Sequence, residues 1–510
     1  MTNRTSMTLK NIFASYLSVI PSTLLNLVTR FVFVRYISFE YLGASGLFSS
    51  IFAMLSFADL GIGEAITYKL YKPLAENNKK EIGKLMKFYQ KFYYFLIVFV
   101  IIFGLCCIPF LPQLTNNSSL PNLTLIYVLF LLNTVLSYFC ADKKSFLIAN
   151  QESYINSALQ NLFLCLQYII QLIVIVTTSN FILYLIIQIL AQLMCGLSIN
   201  WFVKVKRNDI YNIKEQEKFD KDDLKELVGN SGSLVFHKIG NLLLDNFTNI
   251  LISAELGLLV MGHYSNYLII INMCIVLLSY LTFPTQAAIG NLCASNKDND
   301  YNELVLQRLE FIIYAIYSFV AVQLFANFDL VIEIYANDTY FSKTIIYLLA
   351  TTFLVNGLKI IPNQFKTVNG LFKNDCFRPL IEAVIFYIIG SVALKYYGIE
   401  GLLITSLLIR IFSACFIERS IVYRNVFKKS PFFSFLIFLS RIIFVFLTGL
   451  ALSTLLTNVY ITNNIITLIV KCMICAVVYS SFFMIIYWKN KNFIYCRNLI
   501  VNRLKSKFKT

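Results

Sequence analysis

Long apolar stretches recur along the whole chain, and they constrain its fold more than any other feature. A helix of ~20 apolar residues crosses the ~30 Å hydrocarbon core of a bilayer, and the sequence contains about fourteen such stretches between residues 12 and 488. Hydrophobic residues make up 58% of the chain and charged residues only 14%, whereas soluble domains are about 25% charged. The sequence therefore predicts an all-α integral membrane protein with about fourteen transmembrane helices.

Basic residues collect in every second loop between these stretches. They are found at Lys69 to Lys91, Lys143 and Lys144, Lys204 to Lys225, Lys366 to Arg378, Arg419 to Lys429, and Lys489 to Lys509. Short loops rich in Lys and Arg stay on the cytoplasmic side of a membrane, so we predict that these loops and both termini are cytoplasmic. This topology, together with anionic lipid headgroups, accounts for the net charge of +16 without a nucleic-acid partner.

The loops are too short for most enzymes of this size. The longest predicted outer loop covers about residues 327–341, which leaves little room for a catalytic site outside the membrane. The inner loops contain neither a P-loop nor a dinucleotide-binding fingerprint. We therefore expect that the protein is not an enzyme and has no catalytic residues, cofactor or metal.

Two parts of the sequence resemble each other. "EYLGASGLFSS" (40–50) and "LLVMGHYSNY" (258–267) both join two predicted spans at the outer surface, and they align Gly46 with Gly262. Two six-span copies in the same orientation are typical of alternating-access transporters, whose substrate lies between the halves. The predicted domains are an N-terminal six-helix lobe at 1–203, a cytoplasmic linker at 204–226, a second six-helix lobe at 227–418, two additional helices at 433–488 and a basic cytoplasmic tail at 489–510.

Polar residues form stripes along several predicted spans. Arg30 and Asn26 lie on one side of the first span, and His237, Asn241 and Asp245 cluster in the seventh. Such stripes either line water-filled space or hydrogen-bond to neighbouring helices, and the sequence leaves both open. Arg30 can also snorkel to the outer surface.

Cations outnumber anions inside the predicted spans. The cations are Arg30, Lys238, Lys359, Arg410, Arg441 and Lys471, and the anions are Asp59, Glu64 and Asp245. An isolated charge at the bilayer centre costs ~2.5–3.5 kcal/mol, so the excess predicts an anionic ligand, and Arg and Lys bind phosphate well. Arg441 and Lys471 lie in the two spans outside the repeat, and we interpret them as structural.

The segments "YLGASGLFSSIFAMLSFADLGIGEAI" (41–66) and "DNFTNILISAELGLLVMGHYSNYLIIINMCI" (245–275), with the polar first span, resemble Wzx-type polysaccharide-biosynthesis flippases. These belong to the multidrug/oligosaccharidyl-lipid/polysaccharide exporter superfamily, and the resemblance covers nearly the whole chain. It implies a V-shaped pair of lobes around a central cavity in the bacterial cytoplasmic membrane. It also implies that the protein moves an undecaprenyl-diphosphate-linked oligosaccharide from the inner to the outer leaflet, for capsule, O-antigen or exopolysaccharide assembly.

The resemblance also implies roles for particular residues. Arg30 corresponds most naturally to a cavity arginine that meets the diphosphate in related lipid II flippases, and the spans at 433–488 correspond to their groove for the lipid tail. The predicted substrate-binding residues are Arg30, Lys238, Lys359, Arg410, Asn26 and Asn241. The candidates for a coupled ion are Asp59, Asp245 and His237, and a structural polar network is an equal alternative for each. The expected partners are the polyprenyl-diphosphate-linked oligosaccharide, membrane lipids and other polysaccharide-assembly proteins.

Three other functions stay open at this point. A multidrug or organic-cation exporter of the same superfamily would typically have about twelve spans and an acidic cavity. An integral-membrane polysaccharide polymerase or glycosyltransferase would need larger outer loops. A structural scaffold for polysaccharide assembly would not need the buried cations.

Overall fold

The structure is a computed structural model, and it describes residues 20–56, 62–206, 221–295, 298–337, 340–461 and 463–498. The side chains of residues 62, 64, 65 and 221–235 are outside this description. Within the described ranges the chain forms helices and turns and no strand, which confirms the all-α fold. Asp59, one of the predicted ion-coupling residues, lies outside the described residues.

The chain divides into two compact units. The first comprises residues 1–265 and 376–383, and the second comprises residues 266–375 and 384–510. The lobe, linker and tail boundaries that the sequence suggests stay predictions.

The first unit contains ten helices within the described residues. They are α1 (20–36), α2 (Phe39–Leu55), α3 (Ile62–Ala75), α4 (Lys79–Cys106), α5 (Leu111–Leu114), α6 (Leu123–Tyr138), α7 (Ala141–Ala149), α8 (Ser153–Thr178), α9 (Phe181–Lys206) and α10 (Lys221–Ser295), whose last part belongs to the second unit.

Helix α2 lies in the core of the first unit. Its Leu42, Leu47 and Phe48 are fully buried, and the Phe48 ring packs edge-on against Tyr127 of α6 at 5.1 Å between centroids. Inside a membrane such contacts stabilise the fold through close van der Waals packing. The helix therefore has the apolar surroundings that its sequence requires.

The backbones of α2 and α10 are in close contact. A Cβ atom on Gly43 would lie 2.8 Å from the carbonyl carbon of Leu258, and one on Gly262 would lie 2.7 Å from that of Phe39. These distances are too short for any side chain, so both helices need glycine at these positions. Gly46, which the sequence repeat aligns with Gly262, also lies in this contact, beside Met261 and Ser265.

The helices of the second unit follow in chain order. They are α11 (Asn299–Ala336), α12 (Lys343–Leu358), α13 (Ile360–Val368), α14 (Arg378–Ile409, whose first turns belong to the first unit), α15 (Phe416–Val422), α16 (Phe432–Leu455), α17 (Asn464–Tyr487) and α18 (491–498). π-helical turns at Arg410–Cys415 and Tyr423–Phe427 flank α15.

Helix α11 is the centre of the second unit, where it packs against α12, α16 and α17. The Phe325 ring stacks on Tyr347 of α12 at 5.3 Å and lies edge-on to Phe446 of α16 at 5.7 Å. The Gln323 side chain donates to the carbonyl oxygen of Cys472 in α17 at 3.2 Å. The two C-terminal helices are therefore tied to this unit by both aromatic and polar contacts.

Ten helical segments of the described chain are long and apolar enough to cross a membrane, and Phe39–Leu55 is a shorter apolar helix. Two of the ten contain 60 and 57 residues, at Phe236–Ser295 and Leu371–Phe427, where one crossing needs ~20. Each is interrupted by a glycine with positive φ, 89° at Gly257 and 63° at Gly398, a conformation that glycine adopts readily. The count of fourteen spans stays a prediction.

Candidate functional site

Arg30 lies among aromatic side chains of the first unit. It is half-buried, and its guanidinium carbon is 5.4 Å from the centre of the Phe33 ring. Phe33 packs in turn against Phe181 and Tyr184 of α9, at 5.7 and 5.4 Å between ring centroids. Arg30 also interacts electrostatically with Tyr184. These contacts are cation–aromatic in character and do not by themselves assign Arg30 to a ligand.

Part of the polar stripe on α1 is used between helices. The Ser22 hydroxyl donates to the side-chain oxygen of Asn161 in α8 at 2.9 Å. The fully buried Thr29 lies 3.5 Å from the carbonyl oxygen of Tyr168 in α8 and also donates to Leu25 within α1 at 2.8 Å. Asn26, one of the predicted sugar ligands, is half-buried on the same helix.

His237 lies in a buried polar network of the first unit. The Nη2 atom of Arg378 is 3.3 Å from His237 Nε2, and Nη1 of Arg378 donates to Glu382 at 2.9 Å. On α10, Asn241 Nδ2 donates to the backbone oxygen of His237 at 3.0 Å and is 3.1 Å from its Nδ1. The ring therefore lies between the guanidinium of Arg378 and the side-chain amide of Asn241. The structure thus brings His237 and Asn241 together.

The other two predictions on α10 differ in exposure. Lys238 is half-buried, whereas Asp245 is exposed. Both residues precede the break at Gly257, so they lie on the same helical stretch as His237.

Arg410 and Lys359 lie close together in the second unit. Arg410 is buried, and it donates from Nη1 to the Asn356 side chain at 3.1 Å and from Nε to Ser406 at 3.4 Å. Asn356 is on α12, one helical turn before Lys359, so both face the same side. Lys359 is half-buried at the break between α12 and α13, and both cations interact electrostatically with Cys415. The side chain of Lys359 makes no hydrogen bond or ion pair with any residue that the structure describes.

Sequence reasoning missed several buried ion pairs because their cations lie in segments interpreted as basic loops. Lys366 is fully buried and donates to Asp375 at 3.0 Å and Glu418 at 3.4 Å. Arg419 is also buried and pairs with Glu310 of α11 at 2.9 Å. A basic residue at the end of a span indicates which end is cytoplasmic. The same residue can also pair with a carboxylate, and the sequence alone does not show that partner. Only an i,i+4 pair such as Arg378 and Glu382 could have been found from spacing.

Lys429 forms an ion pair outside the membrane-spanning helices. Its ammonium group contacts Asp300 at 2.7 Å and Glu303 at 2.6 Å. Hydrogen bonds to Asp300 and then to Glu303 raise the pKa of Lys429 above its usual value. A raised lysine pKa means that the ammonium group is charged at neutral pH and that, on the alkaline side, the pair is lost only at strongly alkaline pH.

Comparison with known proteins assigns the family. Residues 8–289, more than half of the chain, match the family described as polysaccharide biosynthesis protein. The chain belongs to this family. The match confirms the resemblance that the sequence motifs indicated. No curated protein sequence matches the chain.

Solved structures confirm the fold of this chain. It is similar to an inward-facing MATE family multidrug resistance transporter of the MOP superfamily, with a TM-score of 0.63 and 14% identity over 85% of this chain and 98% of that one. It is also similar to the lipid II flippase MurJ in an inward closed conformation, with a TM-score of 0.61 and 14% identity over 92% and 98% of the two chains.

A third similar structure is a MOP superfamily transporter from Pyrococcus furiosus, with a TM-score of 0.54 and 13% identity over 85% of this chain and 95% of that one. That transporter is described as having a binding pocket of reverse polarity. These solved structures are of transporters and a flippase, and this chain shares their fold.

Proposed function

We propose that the protein is a flippase that moves an undecaprenyl-diphosphate-linked oligosaccharide from the inner to the outer leaflet of the bacterial cytoplasmic membrane by alternating access. The product would serve capsule, O-antigen or exopolysaccharide assembly. The observation that supports this most is the position of Arg410 beside Asn356, one turn from Lys359. It gives a member of a polysaccharide biosynthesis family two neighbouring cations inside apolar helices.

The chemistry of these two residues suits a lipid diphosphate. A guanidinium presents planar donors that match phosphate oxygens, and an ammonium adds a compact charge. Lys359 has three N–H donors that no described residue accepts from. A diphosphate arriving as ligand would supply both the acceptors and the negative charge.

The remaining predicted roles belong to the same proposal. Arg30 and Lys238 are further candidates for contact with the diphosphate, and Asn26 and Asn241 would bind sugar hydroxyls, for which an amide offers both a donor and an acceptor. Asp59, Asp245 and His237 are the candidates for a coupled ion.

The test is flipping by purified protein in vesicles that contain a polyprenyl-diphosphate-linked oligosaccharide. Lys359→Met should slow flipping about tenfold or more, because a hydrogen bond to a charged group is worth ~1.5–3 kcal/mol. Lys471→Met is the matched control, since Lys471 is also a half-buried lysine of a membrane-spanning helix. It should flip substrate at the wild-type rate.

Membrane abundance has to be measured for both variants, and both should insert normally, because an isolated intramembrane charge does not stabilise the helix that carries it. Equal flipping by Lys359→Met and the wild type would remove Lys359 from the substrate site. Equal loss in both variants would show a general effect of charge removal.

An organic-cation exporter is the second candidate, because the MATE transporter shares the fold. Cations in the site would repel a cationic drug. Uptake of a fluorescent organic cation into the same vesicles, with no flipping of the lipid-linked oligosaccharide, would favour this alternative.

A further inference from the structure

A cavity of about 510 Å³ lies in the second unit, between α11, α16, the end of α17 and the segment after it. Its polar lining includes Glu310, Ser434, Arg441, Tyr487, Asn490 and Asn492. The segments around Lys429 and Asn490 that reach this cavity both belong to loops that the sequence predicts to be cytoplasmic. The cavity therefore lies at the predicted inner-leaflet end of the unit.

Arg441 is the unusual residue of this cavity. It is only 8% exposed, yet its guanidinium makes no hydrogen bond with any residue that the structure describes. Its closest carboxylate oxygen, on Glu310, is 3.8 Å away, and the flat side of the Tyr314 ring lies at 5.1 Å. The guanidinium thus presents unused N–H donors to the cavity that it lines.

The carboxylates around the cavity are already engaged. Glu310 pairs with Arg419 at 2.9 Å, and Arg419 also donates to Ser434 at 2.7 Å. Glu303 pairs with Lys429 at 2.6 Å. Two arginines therefore share Glu310, and the cluster they form carries a net positive charge.

One wall of the cavity is apolar and exposed. Phe433, Ile437 and Ser440 line it from α16, and their spacing puts them on one side of that helix. Phe433 is 73% exposed and Ile437 is 38% exposed. An occupant can therefore have a charged group beside Arg441 and an apolar part along an exposed apolar stripe.

We propose that this cavity binds the phosphate of an anionic phospholipid from the inner leaflet. Arg441 donates to the phosphate oxygens, Asn490 and Asn492 lie beside the headgroup, and the acyl chains follow Phe433 and Ile437. The proposal gives Arg441 a ligand-binding role in place of the structural role that its position in the sequence suggested. It does not depend on the proposed function. The diphosphate of a lipid-linked oligosaccharide offers similar chemistry, so the test has to separate this diphosphate from the phosphate of a phospholipid.

The experiment is native mass spectrometry of the full chain titrated with phosphatidylglycerol, phosphatidylcholine or a polyprenyl diphosphate. Phosphatidylglycerol should bind the wild type more tightly than phosphatidylcholine, and Arg441→Gln should weaken its binding about tenfold, because charge-assisted hydrogen bonds are lost. Arg441→Lys should recover part of the affinity. Lys471→Gln is the control, since Lys471 does not line the cavity, and it should bind like the wild type.

Because Arg441→Gln also alters the charge around Glu310, a second variant tests the cavity alone. Ser440 is exposed and lies on the cavity wall, so Ser440→Phe should fill the cavity without disturbing the ion pairs, and it should weaken phosphatidylglycerol binding as well. Unchanged binding in both variants would overturn the proposal. So would equal affinity for the two phospholipids, or an effect of Arg441→Gln on polyprenyl diphosphate alone.

Discussion

The close contact between α2 and α10 makes Gly262→Ala a sharp test of the fold. A methyl group at this position would overlap the carbonyl oxygen of Phe39 and lie 2.7 Å from its carbonyl carbon, so backbone has to move. Overpacking costs ~1–3 kcal/mol, and a clash with backbone belongs at the upper end of that range. Alanine gains ~1 kcal/mol over glycine in a helix interior. We expect a net decrease of about 2 kcal/mol in the free energy of unfolding.

Gly290→Ala is the matched control on the same helix. A methyl group there would meet the side chain of Val368 at 3.9 Å, which is an ordinary van der Waals contact. Only the gain in helix propensity remains, so this variant should be more stable than the wild type by up to about 1 kcal/mol.

The two substitutions should therefore have opposite signs in one assay. Thermal unfolding of both purified variants in the same detergent, followed by intrinsic fluorescence, measures them side by side. If Gly262→Ala unfolds at or above the wild-type temperature, α2 and α10 are not in backbone contact and the packing of the first unit is wrong.

The other predictions concern charge and topology. Glu310→Gln should lower the free energy of unfolding by ~3–5 kcal/mol, because it leaves buried arginine charge without a carboxylate. Glu333→Gln, an exposed change on the same helix, should change this free energy by no more than ~0.5 kcal/mol. Similar values for the two variants would refute the buried pair. His237→Gln keeps an acceptor for its guanidinium partner and should retain wild-type abundance in the membrane, whereas His237→Leu should reduce that abundance. Equal abundance of the two variants would remove the structural role. Loss of pH-gradient-driven flipping in the Gln variant would identify the ring as an ion carrier. A cysteine tag at Asn463 should react with an impermeant reagent from outside, and one at Lys428 only from inside; the reverse pattern at Asn463 would remove the last predicted span.

The membrane fold could be predicted because hydrophobicity is a local property of the sequence. A stretch of ~20 apolar residues in a bilayer forms a helix, because a helix satisfies all its backbone hydrogen bonds within the segment. The glycine motif at Gly46 could also be found, since it repeats around Gly262. Its neighbour Gly43 could not, because the need for glycine there comes from the carbonyl group of Leu258, more than 200 residues away in the chain.

The charge clusters show where sequence reasoning ends. Arg419 and Glu310 are separated by 109 residues, and nothing local in either segment names the other. Periodicity gives the side of a helix on which a residue lies, but it does not give the helix that packs there. Arg441 could not be distinguished from an anchoring residue for the same reason, since its unused donors and the adjacent cavity appear only once α11, α16 and α17 are packed.

Flipping by the unmodified protein is the most direct measurement of its function. The full chain is reconstituted into vesicles with a labelled undecaprenyl-diphosphate-linked oligosaccharide, and the sugar exposed to an impermeant probe is followed over time. We expect the exposed fraction to rise with the amount of protein and to stay at the protein-free level for a fluorescent organic cation. No increase over protein-free vesicles, or transport of the organic cation in place of the lipid-linked sugar, would contradict a flippase.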